Sequence, residues 1–262
     1  MSDRKQVRQQ VWDVLRGVAK PDSRFHFDFN EYIPDFEGSD AALARLIALD
    51  EYKSAKVIFI TPDNGLEQLR AQAVRDAKLQ VVTTYGIRRG MVEIAPERVP
   101  PGQADYVATL DAMEKIGRPI SLAELKKHHK FDLLVTGASA VSRTGVRFGK
   151  GHGFFDIEWA MFYQLGIANR STPVVAVVHD CQVLKEDLVP NPYDTICDII
   201  VTPTQTIYVA GAQKPEHGVL WDKLEPGMME NISCLSELKE LEAQAAQSSP
   251  DRRSVPYKNY PL

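Results

Sequence analysis

Twelve residues of this chain gather more reactive chemistry than any other stretch: Gly145-Val-Arg-Phe-Gly-Lys-Gly-His-Gly-Phe-Phe-Asp156. Its glycines are interspersed with Arg147, Lys150 and aromatic side chains, and a carboxylate closes the run. Glycine lets a backbone amide approach an anion closely, and amides freed at a helix start point toward negative charge. Arg147 and Lys150 reinforce that field. Asp156 would repel a phosphate unless a divalent cation stood between them, so the stretch reads as a nucleotide–Mg2+ site.

The loop matches neither common phosphate-binding pattern. No Ser or Thr follows Lys150, as a P-loop requires, and the glycine spacing is G-x-G-x-G rather than G-x-G-x-x-G. A tight glycine turn with coincidental cations therefore stands beside the phosphate site as an alternative on residue types alone. Elsewhere, Asp194 follows Pro192-Tyr193 as a turn residue, and it would complete a cation site only by facing Asp156 across a crevice. His179 has no partner at a metal-ligand spacing and reads as a hydrogen-bonded structural histidine. His128 and His129 close a basic helix and suit its C-terminal dipole. No Ser or Cys has the context of a nucleophile.

The elements that must position these groups follow from periodicity. Apolar runs at 55–60, 79–84, 131–136, 173–178 and 196–201 predict strands covered on both faces. Helices are predicted at 4–18, 40–49 (capped by Ser39), 66–77, 122–129 (Ser121 and Glu124 forming a capping box), 157–165 and from Ser233 or Ser236 to 247. Strand, helix, strand at this spacing is a βαβ unit and hence a parallel sheet. Residues 85–119, rich in proline, are expected to be irregular, with a short helix near 109–115. Open sheets of this kind hold ligands at the carboxyl ends of their strands. That rule would bring together 61–67, 137–156, 179–182 and 202–204, with the acids Glu67, Asp156 and Asp180. One α/β domain over 1–247 is expected, followed by a C-terminal tail, 248–262, that hugs the surface or stays disordered.

Composition narrows the partners. The chain has 262 residues, 44% hydrophobic and 25% charged, with a net charge of −4 that argues against a nucleic-acid footprint spread over the molecule. Three cysteines without metal-type spacing speak against a disulfide framework. No apolar run approaches membrane-spanning length and Met1-Ser-Asp-Arg-Lys has no apolar leader region, so the expectation is a cytoplasmic protein with no membrane partner.

Arg147-Phe-Gly-Lys-Gly-His-Gly-Phe-Phe-Asp156 resembles the R-L-G-x-G-x-G-Y-Y-D signature of the 5-formyltetrahydrofolate cyclo-ligases, or methenyltetrahydrofolate synthetases. Three further features agree in order: Arg4-x-x-x-Arg8 is similar to the family's N-terminal K-x-x-x-R, Gln182 with Asp194 to its Q…h-D element, and Asp198-Ile-Ile-Val-Thr202 to its D-x-V-x-T strand. Residues 33–39, 178–183 and Lys214-Pro…Gly218…Trp221 look like the family's methenyltetrahydrofolate synthase domain-containing branch. The resemblance implies a three-layer α/β/α fold with a mostly parallel sheet, of the cyclo-ligase (NagB/RpiA/CoA-transferase-like) type. It implies ATP held by Arg4, Arg8, Arg147, Gly149, Lys150, Gly151, His152, Gly153, Phe154 and Phe155, and Mg2+ held by Asp156 and Asp194. Arg147 and Lys150 would act in catalysis, and Glu67 is the counterpart of a folate-contacting glutamate. In that family's chemistry, ATP phosphorylates the N5-formyl oxygen, N10 attacks the activated carbon, and phosphate leaves. The route converts 5-formyltetrahydrofolate to 5,10-methenyltetrahydrofolate and needs positioning and electrophilic activation rather than a protein nucleophile. This chain departs from the pattern at Phe154-Phe155, where the family carries tyrosines, and at Arg4, where it carries lysine. Two other readings accompany this one: a non-catalytic nucleotide- or folate-binding protein, and an ATP-dependent enzyme for another formylated or pterin-like small molecule.

Overall fold

The computed structural model describes residues 4–248. The predicted tail therefore lies outside the described residues, apart from Ser248. In chain order, α1 (Arg4–Leu15), α2 (Ser39–Ile47) and α3 (Asp50–Ser54) precede β1 (Val57–Ile60), α4 (Glu67–Arg75) and β2 (Leu79–Thr83). Then come β3 (Met91–Ile94), α5 (Ala104–Val107), α6 (Leu110–Ile116), β4 (Arg118–Ile120), α7 (Leu122–His128) and β5 (Leu133–Thr136). The short β6 (Ala140–Ser142) and β7 (Arg147–Phe148) lead into α8 (Phe154–Gln164), followed by β8 (Val174–Val177), β9 (Val183–Leu184), β10 (Ile199–Val201) and β11 (Thr206–Tyr208). The described residues end with α9 (Met228–Asn231) and α10 (Ser233–Ser248).

Eight strands form one sheet in the order β11-β10-β8-β5-β1-β2-β3-β4. The five at its centre, β10 to β2, run parallel, while β11, β3 and β4 are antiparallel additions at the two edges. Strand alternation sorts the core into two layers. Phe59, Val81, Leu134, Val174 and Ala176 meet α7, α8 and α10 on one face. Ile58, Ile60, Leu133, Val135, Val175 and Val177 meet α2, α3 and α4 on the other. The result is the expected three-layer α/β/α arrangement. The near-continuous apolar runs of the central strands are what burial on both faces demands.

Two expectations need correction. Residues 85–119 are not irregular throughout, because β3 and β4 extend the sheet there; Val92 pairs with Pro119, and a proline is tolerated only because β4 is an edge strand. Nor does Ser39 cap α2. Gly38, with φ of 77°, turns the chain into that helix, and Ser39 is buried as its first residue. The capping box at Ser121 and Glu124 is present as predicted, with Glu124 N–H donating to Ser121 Oγ at 3.1 Å.

Between β5 and α8 the chain leaves the main sheet to form a three-stranded sheet, β7-β6-β9, against which Val7 and Val11 of α1 pack. The β6–β7 turn depends on Gly145. Its φ is +83°, and a Cβ there would lie 2.4 Å from the Cys197 carbonyl oxygen, a backbone atom with no room to yield. Gly145→Ala is expected to cost about 3 kcal/mol through strain and overpacking. A lowered urea midpoint measures it, and an unchanged midpoint would mean that the hairpin relaxes freely.

Candidate active site

The strand order places a topological switch between β1 and β5. The chain leaves β1 toward β2 through α4 on one face and leaves β5 toward β8 through α8 on the other, so the loops after these two strands part and open a crevice. A cleft of about 350 Å³ lies there. It takes Thr61, Asp63 and Asn64 from the β1 loop, Thr136 and Gly137 from the end of β5, and residues 147–158 from the glycine loop and α8.

The cations meet in this cleft. Arg147 is delivered by β7 and is 5% exposed; its Nη2 lies 3.6 Å from Asp156 Oδ1, and its guanidinium stands 4.7 Å from the Phe155 ring centre. Its Nε has no hydrogen-bond partner. Arg4, from α1, forms a two-pronged pair with Asp194, at 3.0 Å for Nη1 to Oδ1 and closer for Nη2 to Oδ2, and lies over the Phe148 ring. Arg8, one helical turn on, lines the cleft beside Gly151. Lys150 donates to the Glu31 carbonyl oxygen at 2.7 Å and sits 5.0 Å from the centre of the Tyr85 ring. Burial pulls the Lys150 pKa down, against the charges of Asp63, Glu31 and Glu158. Gly151 and Gly153 adopt φ of 121° and 65°; Gly153 caps α8 without any side-chain hydrogen bond, which leaves the helix's first amides for a ligand. Gly149, His152, Phe154 and Phe155 also line the cleft, and His152 stacks on Phe154 with 5.4 Å between ring centres.

Asp156 and Asp194 do come together. Burial raises the Asp156 pKa; Arg147 and the Thr195 N–H, which donates to Oδ1 at 2.8 Å, oppose that rise, and the charge of Asp194 adds to it. Asp194 also accepts from the Asn191 N–H at 2.6 Å. Among the described residues no group of three or more His, Cys, Asp or Glu side chains is placed to hold a metal ion. Each of the two carboxylates already faces an arginine.

Other residues singled out in the sequence go elsewhere. Glu67 is exposed on the first turn of α4 and does not line the cleft; the loop's contribution is Asp63, whose Oδ2 accepts from Thr61 Oγ1 at 2.5 Å and from the Gly137 N–H at 2.8 Å. The reason is local: a 3₁₀ turn at Asn64–Leu66 precedes α4 and leaves Glu67 on its outer face. His179 is structural as expected, its Nδ1 accepting from the Cys181 N–H at 3.1 Å. Asp180 accepts from Thr202 and Thr204, and none of the three lines the cleft. The cysteines are free thiols.

Glu158 is the functional candidate that the sequence reading passed over. It is 2% exposed, lines the cleft, and accepts from Thr83 Oγ1 at 2.7 Å through Oε1. Burial pushes its carboxyl up to about 8, with Asp63 and Asp156 adding to the rise and Thr83 and Arg147 opposing it. A signal was present. Phe154, Phe155, Met161 and Phe162 lie at helical offsets of three and four from Glu158, which puts this acid on the buried face.

One side of the cleft is held by Asp22. It accepts from the Arg24 and Phe25 N–H groups and from Asn64 Nδ2, tying the 22–26 turn to the β1 loop. Burial alone would raise the Asp22 pKa, but the hydrogen bonds from Arg24 and Asn64 outweigh it and hold the carboxyl at about 2, below its ordinary 3.8. A depressed folded pKa stabilises above the unfolded value and is lost as pH falls through the folded one. Stability is therefore expected to drop by about 2 kcal/mol between pH 4 and pH 2 through this residue. Asp22→Asn should remove that part of the acid arm, read as the difference between the two proteins' urea midpoints at pH 4 and pH 2.5; parallel curves would contradict it.

A cationic, glycine-framed cleft thus lies at the switch point of a parallel sheet, where α/β proteins hold their ligands. The chain belongs to the 5-formyltetrahydrofolate cyclo-ligase family, whose model matches residues 1–203. It is 34% identical over 252 residues to a methenyltetrahydrofolate synthase domain-containing protein of Homo sapiens, covering 93% of this chain and 63% of that protein. The Mus musculus protein of the same description is 32% identical over 251 residues, with 93% and 65% covered. The match thus spans less than two thirds of these relatives' length. Among solved structures, the chain is similar to Aquifex aeolicus 5,10-methenyltetrahydrofolate synthetase, with a TM-score of 0.49 and 17% identity over 83% of this chain and 98% of that one. It is also similar to the Mycoplasma pneumoniae 5,10-methenyltetrahydrofolate synthetase, with a TM-score of 0.46 and 12% identity over 76% and 98%.

Proposed function

We propose that this chain is an ATP- and Mg2+-dependent ligase that converts 5-formyltetrahydrofolate to 5,10-methenyltetrahydrofolate with release of ADP and phosphate. The observation that carries the reading is the mixed lining of the cleft. Arg4, Arg8, Arg147 and Lys150 line it together with the glycine loop, and so do Ile87, Ala160, Val219, Leu224 and Met228, which belong to the apolar α8-side core. A polyanion and a flat apolar ring would each find matching groups. Family membership supports the same reaction class.

The residues fit the nucleotide on two counts: the buried Arg147 Nε lacks a partner, and the amides at the start of α8 have no side-chain cap. ATP would supply the phosphoryl group that turns the formyl oxygen into a leaving group. The chain's own part is positional. Arg147, Lys150 and the α8 amides would bear the charge that develops on the phosphoryl oxygens, in a site preorganised for it. Asp156 and Asp194 would hold Mg2+ together with phosphate oxygens and water, as hard cations require. Phe154, Phe155 and Tyr85 would hold the ring and keep water out.

Purified protein given ATP, Mg2+ and 5-formyltetrahydrofolate is expected to generate the near-ultraviolet absorption of the methenyl product, and to need both ATP and Mg2+. Asp156→Asn should lower that rate by at least about 100-fold, the scale of removing one preorganised charge. Nucleotide binding without product would remove the folate assignment and leave the nucleotide site. The two-pronged Arg4–Asp194 pair must open before Asp194 can meet a cation.

A further inference from the structure

Glu158 lies in the cleft with a polar demand that the protein does not meet. Oε1 has Thr83, but Oε2 is buried and has no hydrogen-bond partner. Buried polar atoms in folded proteins are almost always paired, and an unpaired one in a cleft asks what pairs with it there. Its surroundings on α8 are apolar: Ile157 and Ala160 line the same cleft, as do Ile87, Leu224 and Met228. Asp63, Asp156, Arg147 and Lys150 line the cleft too, but none of them hydrogen-bonds the carboxyl; with one oxygen held by a threonine and the other open, it has the geometry of a recognition group for a flat ligand that carries polar atoms on one edge.

We propose that Glu158, oriented by Thr83, hydrogen-bonds the polar N–H/C=O edge of a flat heterocycle whose faces lie against the apolar lining, and so selects pterin-like rings over carbocyclic ones of the same size. The assignment rests on the folate reading for its natural ligand, and it adds a residue that the glycine signature does not contain. Asp63, from the β1 loop, spends its Oδ2 on Thr61 and Gly137, whereas Glu158 Oε2 is fully buried and unpaired. A site built to hydrogen-bond a polar edge rejects an analogue lacking it far more strongly than an apolar pocket rejects a change of shape.

The test compares two bicyclic probes, pterin-6-carboxylate and 2-naphthoate, by calorimetric titration of the full chain, wild type and variants. The wild type is expected to prefer the pterin by at least about tenfold. Glu158→Met, which keeps the volume and removes the polar atoms, should bring that preference to within about twofold. Its melting temperature is measured alongside, because the change removes a buried unpaired oxygen but also the bond from Thr83. Glu158→Gln should retain most of the preference, and Thr83→Val should lose part of it. An undiminished preference in Glu158→Met, or equal binding of the two probes by wild type, overturns the assignment. The two readings separate cleanly. Turnover of 5-formyltetrahydrofolate with an intact preference in Glu158→Met would sink only the Glu158 contact. A pterin preference that Glu158→Met abolishes, without turnover by wild type, would sink only the ligase.

Discussion

Arg147→Met is expected to lower turnover of 5-formyltetrahydrofolate by a factor of about 100 to 1,000, the range measured for removing one preorganised donor from a developing anion. Arg147 is the innermost cation of the cleft. It is buried between Asp156 and the Phe155 ring, it donates to the Gly137 carbonyl oxygen at 3.4 Å, and its Nε is unpaired. Removing it also leaves Asp156 with the Thr195 N–H and no cation of its own, so the folded state should lose about 3 kcal/mol. The two effects are separable. At a temperature where both proteins are fully folded, ATP affinity by calorimetry and kcat/KM by product absorbance report the cradle, and the urea midpoint reports the fold. Arg147→Lys should recover the stability better than the rate, because a point charge replaces the fork that meets two phosphate oxygens. A Met variant with wild-type kcat/KM would remove Arg147 from the catalytic role.

What the sequence conveyed about this fold divides along a physical line. Ile58 to Ile60, Leu133 to Thr136 and Val174 to Val177 could be read as strands because burial on both faces leaves an unbroken apolar run. Strands β6, β7 and β9 could not, since they are two or three residues long and exist through their register with one another: Val141 opposite Arg147, and opposite Val183. Without that small sheet the sequence could name Arg147 but not say why it enters the cleft. The glycine stretch and the Asp156–Asp194 pairing were visible as residue types, and their convergence follows from the switch point. The choice between Glu67 and Asp63 was not visible, because it turns on a single 3₁₀ turn that no composition signals. Glu158 was visible in principle, as an acid within an apolar helix face, but a carboxylate beside a phosphate loop draws attention to Asp156 first.

Arg70 shows how far the support of such a site extends into the fold. It lies on α4, whose sequence Glu-Gln-Leu-Arg-Ala-Gln-Ala-Val-Arg looks like a solvated helix, yet it is fully buried. Its Nε donates to the Ala108 carbonyl oxygen at 2.8 Å, and its Nη1 donates to those of Thr61 and Asp63 at 3.1 and 2.9 Å. Burial draws its pKa down to about 10, and the charges of Glu67 and Asp63 oppose that shift. Arg70→Met is expected to cost about 4 kcal/mol, because the buried carbonyl oxygens of Thr61 and Ala108 lose their donor, while that of Asp63 keeps only the Leu66 N–H. For a chain of this size that corresponds to a fall in Tm of roughly 10 °C. The loop would loosen as well as the fold: Asp63 spans from β1 to the Gly137 N–H, so slack at Thr61 and Asp63 reaches the end of β5. Substrate affinity should then fall even at temperatures where the variant is folded, while the α8 amides and Arg147, carried by other elements, keep ATP affinity near wild type. An unchanged urea midpoint in Arg70→Met would mean that the strands alone hold this loop, and a parallel loss of ATP and folate affinity would mean that the loop serves both halves of the cleft.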